Sequence, residues 1–157
     1  MKLAELKKEY SKYEKKYSLP SFKQLNESFG VERAANKETD LPLRAIRRNL
    51  VEHAINFLQF LEGLLNPNLA SMASLGLLKN LTDKEKQLIS NCYEKLFDIE
   101  LKSLALETEY NEKAEAEFIK ESVKIWKSVS PELKSLLAAS ERAWKKKMQE
   151  EKGSYFG

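Results

Sequence analysis

The sequence predicts an all-α protein, a single-domain bundle of six or seven helices. Three observations carry that expectation. Apolar residues recur at spacings of three and four along most of the chain, which is the period of a helix face. Two capping boxes, Ser21 with Gln24 and Thr82 with Glu85, stand directly before such runs. Only 5 Gly and 4 Pro occur in 157 residues, too little turn chemistry for a many-stranded sheet. A chain of this length can bury roughly 70% of its unfolded surface. Its 42% hydrophobic and 32% charged residues are the composition of a globular protein.

The elements follow in order. Leu3, Leu6, Tyr10, Tyr13 and Tyr17 make one narrow helical stripe. Leu19-Pro20 stops it, because the residue before a proline is pushed out of the helical region. Ser21 caps a short second helix carrying Phe22, Leu25 and Phe29, closed by Gly30. Residues 31–38 read as a polar connection. Asp40 is placed to cap a third helix with Pro42 in its first turn. That helix is expected to run to Leu65 and stop at Asn66-Pro67, with Leu43, Ile46, Leu50, Ala54, Phe57, Leu61 and Leu64 on one face.

The segment from Leu69 to Leu78 carries little charge, which predicts a short buried helix loosened by Gly76. Thr82 opens a long helix toward Tyr110 with two apolar stripes. The main one holds Leu88, Cys92, Leu96, Ile99, Leu106 and Tyr110. The second holds Tyr93, Phe97, Leu101 and Leu104. Two apolar faces require two neighbours, so this helix is either central to the bundle or shared with a partner. After a break near Asn111 the pattern continues to Val129 with Phe118, Ile125, Trp126 and Val129 inward. Ser130-Pro131 reads as a fresh helix start, and Leu133, Leu137, Ser140, Trp144 and Met148 mark the last helix, ended by Gly153. One domain is thus expected over residues 1–153. Residues 1–18 either dock on it or project as an arm, and 154–157 form a flexible tail.

Leu19-Pro20-Ser21-Phe22 with Leu25-Asn26-Glu27 and Phe29, Glu38-Thr39-Asp40 leading into Leu43-Arg44 and Ile46-Arg47-Arg48, Leu64-Leu65-Asn66-Pro67, and Leu78 to Thr82 form a series that resembles a set of small archaeal-type helical proteins of unassigned function. The resemblance spans about residues 1–130. It implies an all-α fold and a cytoplasmic setting, and it carries over no catalytic residue.

Composition narrows the chemistry. One Cys and one His cannot make a disulfide scaffold, a Cys/His zinc site or the paired Glu-x-x-His motifs of helical di-metal centres. The glycines at 30, 63, 76, 153 and 157 are too dispersed for a phosphate loop. His53 lies mid-helix with no nucleophile motif nearby and reads as a boundary histidine. Glu107, Glu109, Glu112, Glu115 and Glu117 admit a carboxylate-only metal site, but a solvated acidic face is the plainer reading. Cys92 reads as a small core residue. No catalytic residue, cofactor, metal or small-molecule substrate is inferred, and an enzyme relying on paired carboxylates ranks third, below the two binding readings.

The tentative binding surface is Tyr10, Tyr13, Lys16, Tyr17, Arg44, Arg47 and Arg48. Arg44 and Arg48, four apart, share a flank of the third helix. Arg47 falls within the apolar arc, where a guanidinium must find a carboxylate, snorkel, or meet a ligand such as a phosphate. On the first helix the tyrosines alternate with Lys7, Lys8, Lys12, Lys15 and Lys16. Such a stripe suits either docking on a protein surface or stacking on single-stranded nucleic acid.

Charge is unevenly spread. Residues 1–24 hold seven Lys and three Glu, residues 94–121 four Lys and nine Asp or Glu, and residues 141–152 five basic and three acidic groups. The expected function is a non-enzymatic protein-protein interaction or structural module, binding a protein partner or itself. The alternative is an RNA- or ribosome-associated accessory factor using the basic Tyr/Lys helix and the arginine cluster. The opening residues lack an apolar core of signal-peptide length and no run approaches the ~20 apolar residues of a membrane span. A cytoplasmic protein with no membrane partner is expected.

Overall fold

The caps fix the first elements. The Ser21 hydroxyl accepts from the Gln24 N–H while the Gln24 carboxamide oxygen accepts from the Ser21 N–H, and the chain turns from α1 (Leu3–Tyr17) into α2 (Phe22–Phe29) there. Ser18 closes α1 at φ 52° and Gly30 closes α2 at φ 61°, the left-handed conformation that releases a helix. The remaining elements are a 3-10 helix (Val31–Asn36), α3 (Pro42–Leu65), α4 (Met72–Lys79), α5 (Asp83–Thr108) and α6 (Glu112–Phe156). The structure, a computed structural model, describes residues 1–36, 39–66, 68 and 71–156, and among these no strand occurs. The fold is all-α. No described helix is long and apolar enough to cross a membrane.

Several boundaries differ from those expected. Residues 31–36 of the supposed polar connection wind into the 3-10 helix, since Val31 and Ala34 find core positions. Residues 37 and 38, Pro67, Leu69, Ala70 and, in the expected tail, Gly157 lie outside the described residues. The N-terminus of α3 is built on Leu41 rather than Asp40: the Leu41 carbonyl accepts from Ala45 N–H at 3.0 Å, and Thr39 Oγ1 accepts from Leu41 N–H. Pro42 is the first residue of α3, where its missing N–H costs nothing. α4 is not the buried helix its composition suggested. It is apolar all round, so a single packed side leaves Met72 80% exposed and Leu75 at the surface, with Gly76 inward.

The break at Asn111 occurs, but the one at Ser130 does not. α6 passes through Pro131 without interruption for 45 residues and runs beyond Gly153. Pro131 stands on the exposed side, where water can reach the Lys127 carbonyl that it leaves without a helix bond, and Val129 and Leu133 are buried on either side of it. The buried face of this last stretch is also rotated. Leu133, Leu136, Ala139, Ser140 and Ala143 point inward, whereas Leu137, Trp144 and Met148 are exposed. Alanine at the contact lets helix backbones approach closely, and the larger residues are displaced outward.

The chain forms two compact units. The first comprises residues 1–56 and 98–126. In it α1 rests against α2 and the 3-10 helix, with Leu6 and Tyr10 fully buried among Leu25, Phe29, Val31, Leu43, Ile46 and Ile119. Residues 1–18 are therefore docked. The second comprises residues 57–97 and 127–157, where Leu58, Leu61, Leu64, Leu81, Ile89, Cys92 and Leu96 are buried along with the inward face of α6. Neighbouring positions on α5 differ sharply: Leu96 is fully buried and Phe97 is 38% exposed. Leu96→Ala should destabilise by about 2–5 kcal/mol, as core truncations do. Phe97→Ala should cost no more than about 1 kcal/mol, as surface changes do. Urea titration of both variants measures the contrast, and an equal loss would place Phe97 in a buried contact.

Candidate functional site

Arg44, Arg47 and Arg48 occupy one side of α3, as the i, i+3, i+4 spacing requires, and they face the end of α5 and the start of α6. Arg47 has no solvent exposure. Its Nε donates to Glu115 Oε2 at 2.7 Å, Nη2 to Glu107 Oε1 at 2.9 Å, and Nη1 to both the carbonyl and the hydroxyl of Ser103. Arg48 grips the same Glu107 with both ends of its fork, at 2.9 and 2.8 Å. Arg44 donates to the Leu106 carbonyl at 3.2 Å, lies 3.5 Å from Glu115 Oε1, and covers the Tyr110 ring at 5.3 Å.

Helix ends explain why these groups collect here. The last carbonyls of α5, Leu106 among them, lack helix partners and carry partial negative charge, which cations satisfy. The first turn of α6 carries partial positive charge, and Glu112 and Glu115 sit in it. Asn111 caps that turn, its side-chain oxygen accepting from Ala114 N–H at 2.9 Å. The Arg48 fork, helped by Arg47, holds the Glu107 carboxyl down to about 2.

The first helix meets the same end of α6. Lys16 Nζ and the Tyr17 hydroxyl both donate to Glu112 Oε1 at 2.6 Å, and this pair of hydrogen bonds lowers the Glu112 carboxyl below its ordinary range. Tyr10 is fully buried and donates to the Pro20 carbonyl at 2.7 Å. Its phenol is raised, by burial first and by Glu14 second. Tyr13 is half-buried. Lys7 pairs with Glu32 and Lys12 with Glu9.

The structure thus brings Arg44, Arg47 and Arg48 together on Glu107 and Glu115, sets Lys16 and Tyr17 on Glu112, and leaves Tyr10 in the core of α1's docking surface. Ser103 and Glu115 carry no sequence signal as partners. Glu115 is one of several carboxylates in an acidic run, and only the arginine inside an apolar arc implies that one of them is buried. His53 sits edge-on to Trp126 at 4.8 Å and to Phe29 at 5.6 Å, and burial, then Arg33, lowers its pKa. Burial, then Glu132, pushes the Cys92 thiol up to about 11, the opposite of what a nucleophile needs. Among the described residues no three His, Cys, Asp or Glu side chains are grouped to hold a metal ion. Compared with protein-family models, curated proteins and solved structures, the chain matches none.

Breaking the buried pair with Arg47→Met or Glu115→Gln should cost about 3–5 kcal/mol, since each strands a buried partner. The double variant Arg47→Met/Glu115→Leu should recover most of the loss, as urea titration of the three proteins will show. Glu107 gives an acid signature. Its carboxyl titrates near 2 in the folded chain against an ordinary 4.5, so its stabilising contribution is complete above the ordinary value and disappears as pH falls through about 2. Glu107→Gln should melt lower than wild type at neutral pH, and the gap should close as the pH is lowered to 2.

Proposed function

We propose that this chain is a non-enzymatic protein-binding module, self-association included, acting in the cytoplasm. The observation that carries the reading is the apolar stripe on α5, where Phe97, Leu101 and Leu104 are 38%, 51% and 58% exposed. Spaced four and three apart, they lie side by side along one helix face. Large apolar side chains grouped on a surface mark sites that other proteins cover. Nucleic-acid binding would draw on the cations of α1 and α3. Lys7, Lys12, Lys16, Arg44, Arg47 and Arg48 each have a carboxylate partner within the chain, and counterion release needs cations free to meet phosphates. That balance favours a protein partner over RNA. Kinship with the archaeal-type helical proteins belongs to the same proposal and adds no activity to it.

Co-purification from the native cell, with and without nuclease, tests the reading. Wild type should retain its partner through nuclease treatment, and Leu101→Glu/Leu104→Glu should lose it while keeping its melting temperature. A partner released by nuclease, or RNA binding that falls log-linearly with salt through Lys8, Lys15 and their neighbours, would replace this reading with the nucleic-acid one.

A further inference from the structure

The second unit contains an open cleft of about 710 Å³ between α4, the start of α5 and the end of α6. Met72, Leu75 and Leu78 give it an apolar lining, and Lys79, Lys86 and Lys147 border it. Lys147 is committed to the fold. Its alkyl chain lies over Gly76 so closely that a side chain there would collide with it, and its ammonium reaches toward the Met72 carbonyl and Glu151. Lys79 and Lys86 differ: among the described residues neither has a carboxylate partner. Glu150 and Glu151 also border the cleft. Two unmatched cations against one unmatched carboxylate, Glu150, leave the rim net basic beside exposed methionine and leucine, which suits an occupant with apolar side chains flanked by carboxylates.

The α5 stripe is such an occupant. Glu94 precedes Phe97 by three residues, and Glu100 follows it by three and precedes Leu104 by four, so the two carboxylates flank the stripe. Neither has a cationic partner among the described residues. Pairing stripe with stripe would set Glu94 and Glu100 of one copy against those of the other, a like-charge contact. Lys86 and Phe97 lie eleven residues apart on one face of α5, ~16 Å along the helix. An antiparallel approach of two α5 helices about a two-fold axis therefore sets the basic end of each against the acidic stripe of the other. A contact of this kind is closed and self-complementary.

We propose that the α4–α6 cleft receives the Phe97–Leu101–Leu104 stripe of a second copy of this chain, with Lys79 and Lys86 meeting Glu94 and Glu100. The inference rests on the protein-binding reading and names its partner. Sedimentation of the full chain over a wide concentration range is the test. Wild type should dimerise. Lys79→Glu/Lys86→Glu and Glu94→Lys/Glu100→Lys should each weaken the dimer by about tenfold or more, because like charges would then face each other. An equimolar mixture of the two variants should regain it, since both contacts are again complementary. A dimer unmoved by the lysine reversals, or a mixture that stays monomeric, overturns the assignment of the cleft. A monomeric wild type that still captures another protein through Leu101 and Leu104 overturns it too, and leaves the broader reading standing.

Discussion

A guanidinium withdrawn entirely from water obliges its surroundings to be arranged around it. Removing such an ion from solvent costs several kcal/mol unless acceptors surround it in good geometry. Arg47 receives them from Ser103 and Glu107 on α5 and from Glu115 on α6. A slip of either helix by one residue would turn these groups away and leave the charge unmatched. The pair thus fixes register more than it adds stability, because an apolar cluster of the same volume would serve the energetics about as well. The rest of the first unit hangs on that register. α5 ends beside Arg44, Asn111 caps α6 immediately afterwards, and the first turn of α6 then offers Glu112 to Lys16 and Tyr17 of α1.

The distribution of unmet needs runs opposite to the usual expectation for a chain with many lysines and arginines. Its basic groups on α1 and α3 are largely answered from within by carboxylates, while several large apolar side chains are left uncovered. Leu101, Leu104 and Met72 remain substantially in water. A fold that neutralises the arginines of α3 internally and leaves leucines outside is organised for contact with another apolar surface more than for contact with a polyanion.

What the sequence shows well is chemistry that acts over a few residues. The Ser21–Gln24 and Thr82–Glu85 boxes, the closure at Gly30 and the break at Asn111 each form as their local spacing requires, because a cap reaches at most one turn. Arg47 was legible as an ion needing a partner, since its place in an apolar arc is a property of one helix. The identity of that partner was not, because Glu115 is one carboxylate among several in an acidic run. Pro131 departs from its local signal for a related reason: a pattern that marks a fresh helix start yields to packing on both of its sides. The inward face of the last stretch of α6 is not the one its large apolar residues mark, because the contact uses Ala139 and Ala143.

Separation along the chain gives the buried pair a further consequence during synthesis. Glu115 follows Arg47 by 68 residues. At the usual ~5–20 residues per second, the ribosome delivers the carboxylate roughly 3–14 seconds after the guanidinium. α1, α2 and the 3-10 helix can associate in that interval, since their contacts are local, but the α3 arginines then face water or the ribosome's own anionic surface. The nascent chain is accordingly more basic and more exposed at α3 than the finished protein. Arg47 becomes inaccessible only when the beginning of α6 has emerged.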